Sequence, residues 1–104
     1  MENKTKAETF IGFSIRARKA KIGTNAVATL KRANLVIVCK TASENTKKEA
    51  EKLATKFRCP LLETKNSLLS DLTHKDNAKV MAIADTALAK AIIDNSESDF
   101  IARN

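Results

Sequence analysis

The chain has 104 residues, the size of one domain, and 43% of them are apolar, enough for a core without disulfide or metal staples. Its formal net charge of +7 favours polyanionic partners: nucleic acid, acidic protein or anionic lipid. Cys39 and Cys59 belong to no Cys-x-x-Cys pair and His74 is the single histidine, which excludes a zinc site, while no apolar run approaches a signal peptide or a membrane span. The expectation is a cytoplasmic protein with two reduced core thiols.

Residues 3–19 carry the pattern of a first helix, with Phe10, Phe13, Ser14 and Ala17 at i, i+3, i+4 and i+7 and Ile11 and Ile15 widening the stripe. Both Phe10 and Phe13 are expected to face the core. Ala20–Ile22 reads as a short strand leading into Gly23. A second helix then runs from Thr24 to about Arg32, with Val27 and Leu30 inward and Thr24 or Asn25 as its cap. Leu35-Val36-Ile37-Val38-Cys39 is an unbroken apolar run with three β-branched residues, the mark of a central strand buried on both faces.

Ser43 is the expected N-cap of a third helix, in which Ala50, Leu53, Ala54 and Phe57 share a face; Pro60 forbids its continuation past Arg58. Pro60–Glu63 is a short strand. Ser67–Leu72 is a short helix capped by Asn66 or Ser67, and Thr73–Asn77 is a polar loop. Lys79–Ala84 is the fourth strand. Asp85 caps a last helix with Leu88, Ala89, Ile92 and Ile93 inward, and residues 95–104 form a polar tail expected to fray. Such alternation predicts a single α/β domain over 1–104, a three-layer α/β/α sandwich on a small mixed four-stranded sheet.

Charge is unevenly spread. Residues 1–32 hold eight Lys and Arg against two Glu, whereas residues 66–104 hold four against six acids. Four cations fall within Arg16–Lys21 (Arg16, Arg18, Lys19 and Lys21), just before Gly23-Thr24-Asn25. A helix start offers free N–H groups and partial positive charge, so cations beside it suit phosphate. Gly23 lets another backbone approach, Thr24 can hydrogen-bond phosphate, and the Asn25 amide can donate and accept on a purine edge. Lys31 and Arg32, at the far end of the second helix, complete the candidate RNA-binding set.

Catalysis has little to stand on. His74 has no activated Cys or Ser beside it, the carboxylates are scattered, and Gly12 and Gly23 are the only glycines, so no Gly-rich phosphate loop exists. Neither an enzymatic role, a cofactor nor a metal is expected. Without an aromatic platform for splayed strands, a shaped, structured RNA is the better expectation.

Three segments in order are familiar: Gly12–Lys19 followed by Gly23-Thr24-Asn25-Ala26-Val27; Leu35–Cys39 with Ala42-Ser43-Glu44-Asn45-Thr46-Lys47-Lys48; and Pro60-Leu61-Leu62 with Val80–Asp85. Over nearly its whole length the chain resembles the ribosomal kink-turn RNA-binding superfamily, the L-seven-Ae and L-thirty-e type, in the style of its small bacterial ribosome-associated members. The resemblance implies an α/β/α sandwich whose Gly-x-Asn segment enters the widened major groove beside tandem sheared G·A pairs. That assigns RNA contact to Gly23, Thr24 and Asn25, with Lys21 beside them. It also implies a second contact from the loop before the last strand, here Thr73, His74, Lys75, Asn77 and Ala78. Ala26 and Thr29 stand where the archaeal pattern has Glu and Lys, which leaves Asn25 as the base-reading side chain.

The expected function is non-catalytic binding of kink-turn-like RNA by a monomeric ribosomal-type protein, with RNA and the ribosome as partners and no membrane. The alternative is a protein-interaction module that keeps the fold and has lost specific RNA readout.

Overall fold

Five helices and five strands alternate along residues 6–96 and 99–103, which the computed structural model describes. In chain order they are α1 (Lys6–Arg16), β1 (Ala20–Ile22), α2 (Thr24–Ala28), β2 (Leu35–Val38), α3 (Glu44–Phe57), β3 (Leu61–Thr64), α4 (Leu69–Thr73), β4 (Val80–Ile83), α5 (Thr86–Asp94) and β5 (Phe100–Ala102). The sheet order is β1-β4-β2-β3-β5, with β2 and β3 parallel and every other pair antiparallel.

Every residue of β2 and of β4 is buried, as expected of strands covered on both faces. Side-chain alternation divides the interior into two cores. Leu35, Ile37, Met81 and Ile83 pack with Ile11, Leu69 and Ile92 on the side of α1, α4 and α5. Val36, Val38, Val80 and Ala82 pack with Val27, Ala50, Leu53 and Ala54 on the side of α2 and α3. The result is the expected three-layer sandwich, with five strands where four were expected.

The fifth strand comes from the segment expected to fray. Phe100–Ala102 pairs with β3, Thr64 opposite Phe100 and Leu62 opposite Ala102. Phe100 enters the first core and Arg103 forms ion pairs with Glu51 and Glu63. One inward aromatic in three residues leaves no periodic signal to read. Residues 97, 98 and 104 of that segment lie outside the described residues, as do residues 3–5 of the expected first helix.

Other boundaries shift for local reasons. Helix α1 ends at Arg16 because Arg18 is left-handed at φ 60°. There the Lys19 N–H donates to Ser14 O at 2.8 Å and the Arg18 N–H to Ile15 O at 3.1 Å, a Schellman ending. Its buried line is Ala7, Ile11 and Ser14, with the Ser14 hydroxyl donating to Phe10 O, so Phe13 turns outward and is 45% exposed. Helix α2 stops at Ala28, short of the expected Arg32, with Thr29 Oγ1 bonded to Ala26 O. Helix α4 uses neither Asn66 nor Ser67 as its cap; its N-cap is Leu68, and the Leu69 N–H donates to Cys39 Sγ at 3.4 Å. Ser43 and Asp85 cap α3 and α5 as expected.

Phe100→Ala is expected to lower the unfolding free energy by about 3 kcal/mol. Ile101→Ser, at a half-exposed position, should change it by less than ~0.5 kcal/mol; equal small effects in urea titrations of the two variants would show the fifth strand is not docked. Burial pushes the Cys59 thiol up to about 11 from its ordinary 9.0. A thiol that ionises later in the folded chain contributes stability that is complete below pH 9 and is lost as pH rises toward 11. Wild type should therefore lose stability over that window more steeply than Cys59→Ala, and parallel urea midpoints for the two would refute the assignment.

Candidate nucleic-acid interface

β1 is only three residues long, yet it separates the residues that look contiguous in the chain. Arg16, Arg18 and Lys19 precede it and Gly23, Thr24 and Asn25 follow it, so the two groups lie at opposite edges of the sheet, the edges being its two rows of strand ends and not the outer strands β1 and β5. Lys21, within the strand, is exposed. The Ala84 N–H donates to Lys19 O at 2.7 Å, which ties the first group to the C-terminal end of β4. The Gly23 N–H donates to Val80 O at 2.7 Å, which ties the second to its N-terminal end. Lys31 and Arg32 lead into β2 and therefore join Arg18 and Lys19.

At the edge of Gly23 the backbone turns sharply. Gly23 is the N-cap of α2, at φ 99° and ψ 142°, a region essentially confined to glycine. A methyl group there would meet nothing within 4 Å, so the requirement is conformational and not steric. Its carbonyl accepts the Val27 N–H at 2.9 Å. Because Gly23 caps the helix, neither Thr24 nor Asn25 is used for that purpose. Asn25 is exposed, and its amide has no hydrogen-bond partner among the described residues.

Three further connections end at the same edge. The Cys39 N–H donates to Lys79 O at 2.7 Å, which brings the β2–α3 loop beside the loop before β4. Lys79 Nζ donates to Thr41 Oγ1 at 2.8 Å, and Lys40 Nζ to Lys65 O at 3.3 Å. Thr41 also lies 3.2 Å from Cys39 Sγ. Burial alone pushes the Cys39 thiol up, but the bonds from the Leu69 N–H and the hydroxyls of Thr41 and Thr64 leave it below its ordinary value. The cations gathered here are Lys40, Lys65, Lys75 and Lys79, with Glu44, Asp76 and Asp99 among the acids in the adjoining segments, the Asp99 carbonyl accepting the Lys65 N–H at 2.8 Å.

Of the second expected contact, His74, Lys75 and Asn77 are exposed, with His74 at φ 58° and Asn77 at φ 61°. Thr73 and Ala78 are buried, and Thr73 Oγ1 is committed to Leu69 O, so these two side chains face the interior. Sequence reasoning missed Lys40, Lys65 and Lys79, because only the register of β2, β3 and β4 brings them to one edge. No group of three or more metal-ligating side chains occurs among the described residues, and none of their helices is long and apolar enough to cross a membrane.

No family model and no curated protein matches the chain. Among solved structures, it is similar to a protein with unknown function from Bacillus halodurans C, at 21% identity and a TM-score of 0.75, covering 90% of this chain and 99% of that one. At that identity the likeness shows the α/β/α sandwich and nothing of the ligand.

Gly23→Ala is expected to lower stability by about 1–3 kcal/mol through backbone strain alone. A urea titration in which the variant matches wild type would show that Gly23 is not held in this conformation.

Proposed function

We propose that this protein binds structured RNA of the kink-turn type, without catalysis, through the sheet edge formed by Gly23, Thr24 and Asn25 with the loops carrying Lys40, Lys75 and Lys79. The observation that carries the reading is the division of labour at α2. Gly23 does the capping, which leaves an exposed Asn25 amide unspent at the same row of strand ends as Lys40, Lys75 and Lys79. An amide that can donate and accept at once suits a purine edge, and the lysines suit the phosphates around it. The resemblance to the kink-turn superfamily, which spans nearly the whole chain, supports the same edge. Ribosomal RNA in the cytoplasm, bound by a monomer, is the setting that agrees with the basic composition and the two free thiols.

A mobility-shift titration with a kink-turn RNA, and with the same RNA altered in its G·A pairs, tests this. Wild type should prefer the intact kink-turn. Asn25→Ala should cost about 1–3 kcal/mol on it and much less on plain duplex. The slope of log K against log salt should be roughly −3 to −5, as for four to six neutralised phosphates. Equal losses on both RNAs would reduce Asn25 to a surface residue. No preference at any salt would favour a protein-interaction module instead.

A further inference from the structure

All five arginines of the chain lie at one edge of the sheet, opposite Gly23. Arg16 and Arg18 precede β1, Arg32 precedes β2, Arg58 precedes β3, and Arg103 follows the reversed β5. Arg103 is spent on Glu51 and Glu63. The other four, with Lys19 and Lys31, are exposed and form no ion pair among the described residues. Glu51 and Glu63 are occupied by Arg103, and Asp85 is engaged as the cap of α5, its Oδ1 accepting the Leu88 N–H at 2.8 Å.

Two of these arginines occupy positions that favour glycine. Arg18 and Arg58 are the left-handed residues that end α1 and α3, at φ 60° and φ 55°. Both endings have the same pair of bonds, with the Cys59 N–H to Ala54 O at 3.0 Å and the Arg58 N–H to Thr55 O at 3.1 Å repeating the pattern at Arg18. Glycine takes this conformation without strain and arginine does not. A cation does complement the negative end of a helix, but a lysine elsewhere in the last turn serves that purpose without strain.

We infer that this edge is a second RNA-contact surface, distinct from the Asn25 edge, which holds a phosphate backbone on Arg16, Arg18, Lys19, Lys31, Arg32 and Arg58. Continuing the strand register places Lys19 and Asn34 on either side of Ala84, and Cys59 beyond Asn34. The cations therefore spread over three strand spacings, roughly 15 Å. A duplex carries about one charge per 1.7 Å of axis, so several phosphates face this row at once. Guanidinium forks take phosphate oxygens two at a time. Phe13 adds an exposed ring with Arg16 held 5.0 Å from its centroid, a surface on which an unpaired base stacks. With phosphate held at both edges of one sheet, the protein can bridge two RNA segments.

The inference rests on RNA being the ligand class, but it uses a different surface and can fail separately. The test is the variant carrying Arg18→Gly, Arg32→Gln and Arg58→Gly, titrated with a blunt RNA duplex and with the kink-turn pair. Affinity for the duplex should fall about tenfold or more, and the salt slope should shrink by roughly two to three. The preference for an intact kink-turn should persist, and the thermal midpoint should hold or rise, since glycine relieves the two strained endings. Lys19→Gln with Lys31→Gln, which leaves the helix endings alone, should weaken duplex binding in the same direction. Unchanged duplex affinity and salt slope in both variants would overturn the proposal and leave the edge to an acidic protein. Loss of kink-turn preference with duplex binding intact would overturn it too, because the edges would then act as one site. A wild type with no kink-turn preference, but with duplex binding that depends on these arginines, would sink the Asn25 reading and keep this one.

Discussion

Four backbone hydrogen bonds at the two ends of β4 decide where four of the loops of this protein go. Val80 O holds Gly23 and Lys79 O holds Cys39 at one end; Ile83 O holds Asn34 and the Ala84 N–H holds Lys19 at the other. The strand between them is buried on both faces, so it has no freedom to slide or tilt. A slip of one residue would exchange Met81 and Ile83 with Val80 and Ala82 between two cores of different shape. The register that satisfies the interior is therefore the same register that brings Lys79 beside Thr41 and sets Lys19 two strands from Asn34.

Much of this interior was legible from the chain. The short β-branched run Leu35–Cys39 reads as a strand covered on both sides, and the spacing of Ala50, Leu53 and Ala54 as a helix with one buried face. Ser43 and Asp85 announce their helices because a side-chain oxygen before an apolar run has a donor to satisfy. What escaped detection depended on partners distant in sequence. Cys39 Sγ accepts from the first N–H of α4 from thirty residues away, so no capping residue near Leu69 was needed. Phe13 turns outward because a small hydroxyl, Ser14, satisfies its own polar atom against Phe10 O and takes the inner position.

The candidate site was half legible, for a related reason. Arg16–Asn25 reads as one basic corner because sequence distance stands in for spatial distance. Ala20–Ile22 is legible as a strand, but the separation it imposes is not: its three residues carry the chain from one row of strand ends to the other, at least ~10 Å. Gly23 and Asn25 were recognisable as residue types suited to a turn and to a purine edge. That Gly23 itself is the cap, which frees Asn25, follows only from its φ of 99°.

The two edges differ in the kind of cation as well as in position. Lysines, as point charges on flexible stems, supply the cations of the edge that carries Asn25, whereas four arginines without an ion pair among the described residues, with Lys19 and Lys31, line the opposite edge, two of the arginines in left-handed backbone. On the proposed reading this separation has a physical logic. A lysine leaves the geometry of recognition to the amide and adds attraction that tolerates a bent, irregular backbone. A guanidinium rooted at a helix ending starts from a fixed point on the strand ends, and such points recur at strand spacing along the row, which suits the regular backbone of a duplex. Placing the Asn25 site and the arginine row in one corner would make them compete for the same phosphates; β1, short as it is, keeps them apart.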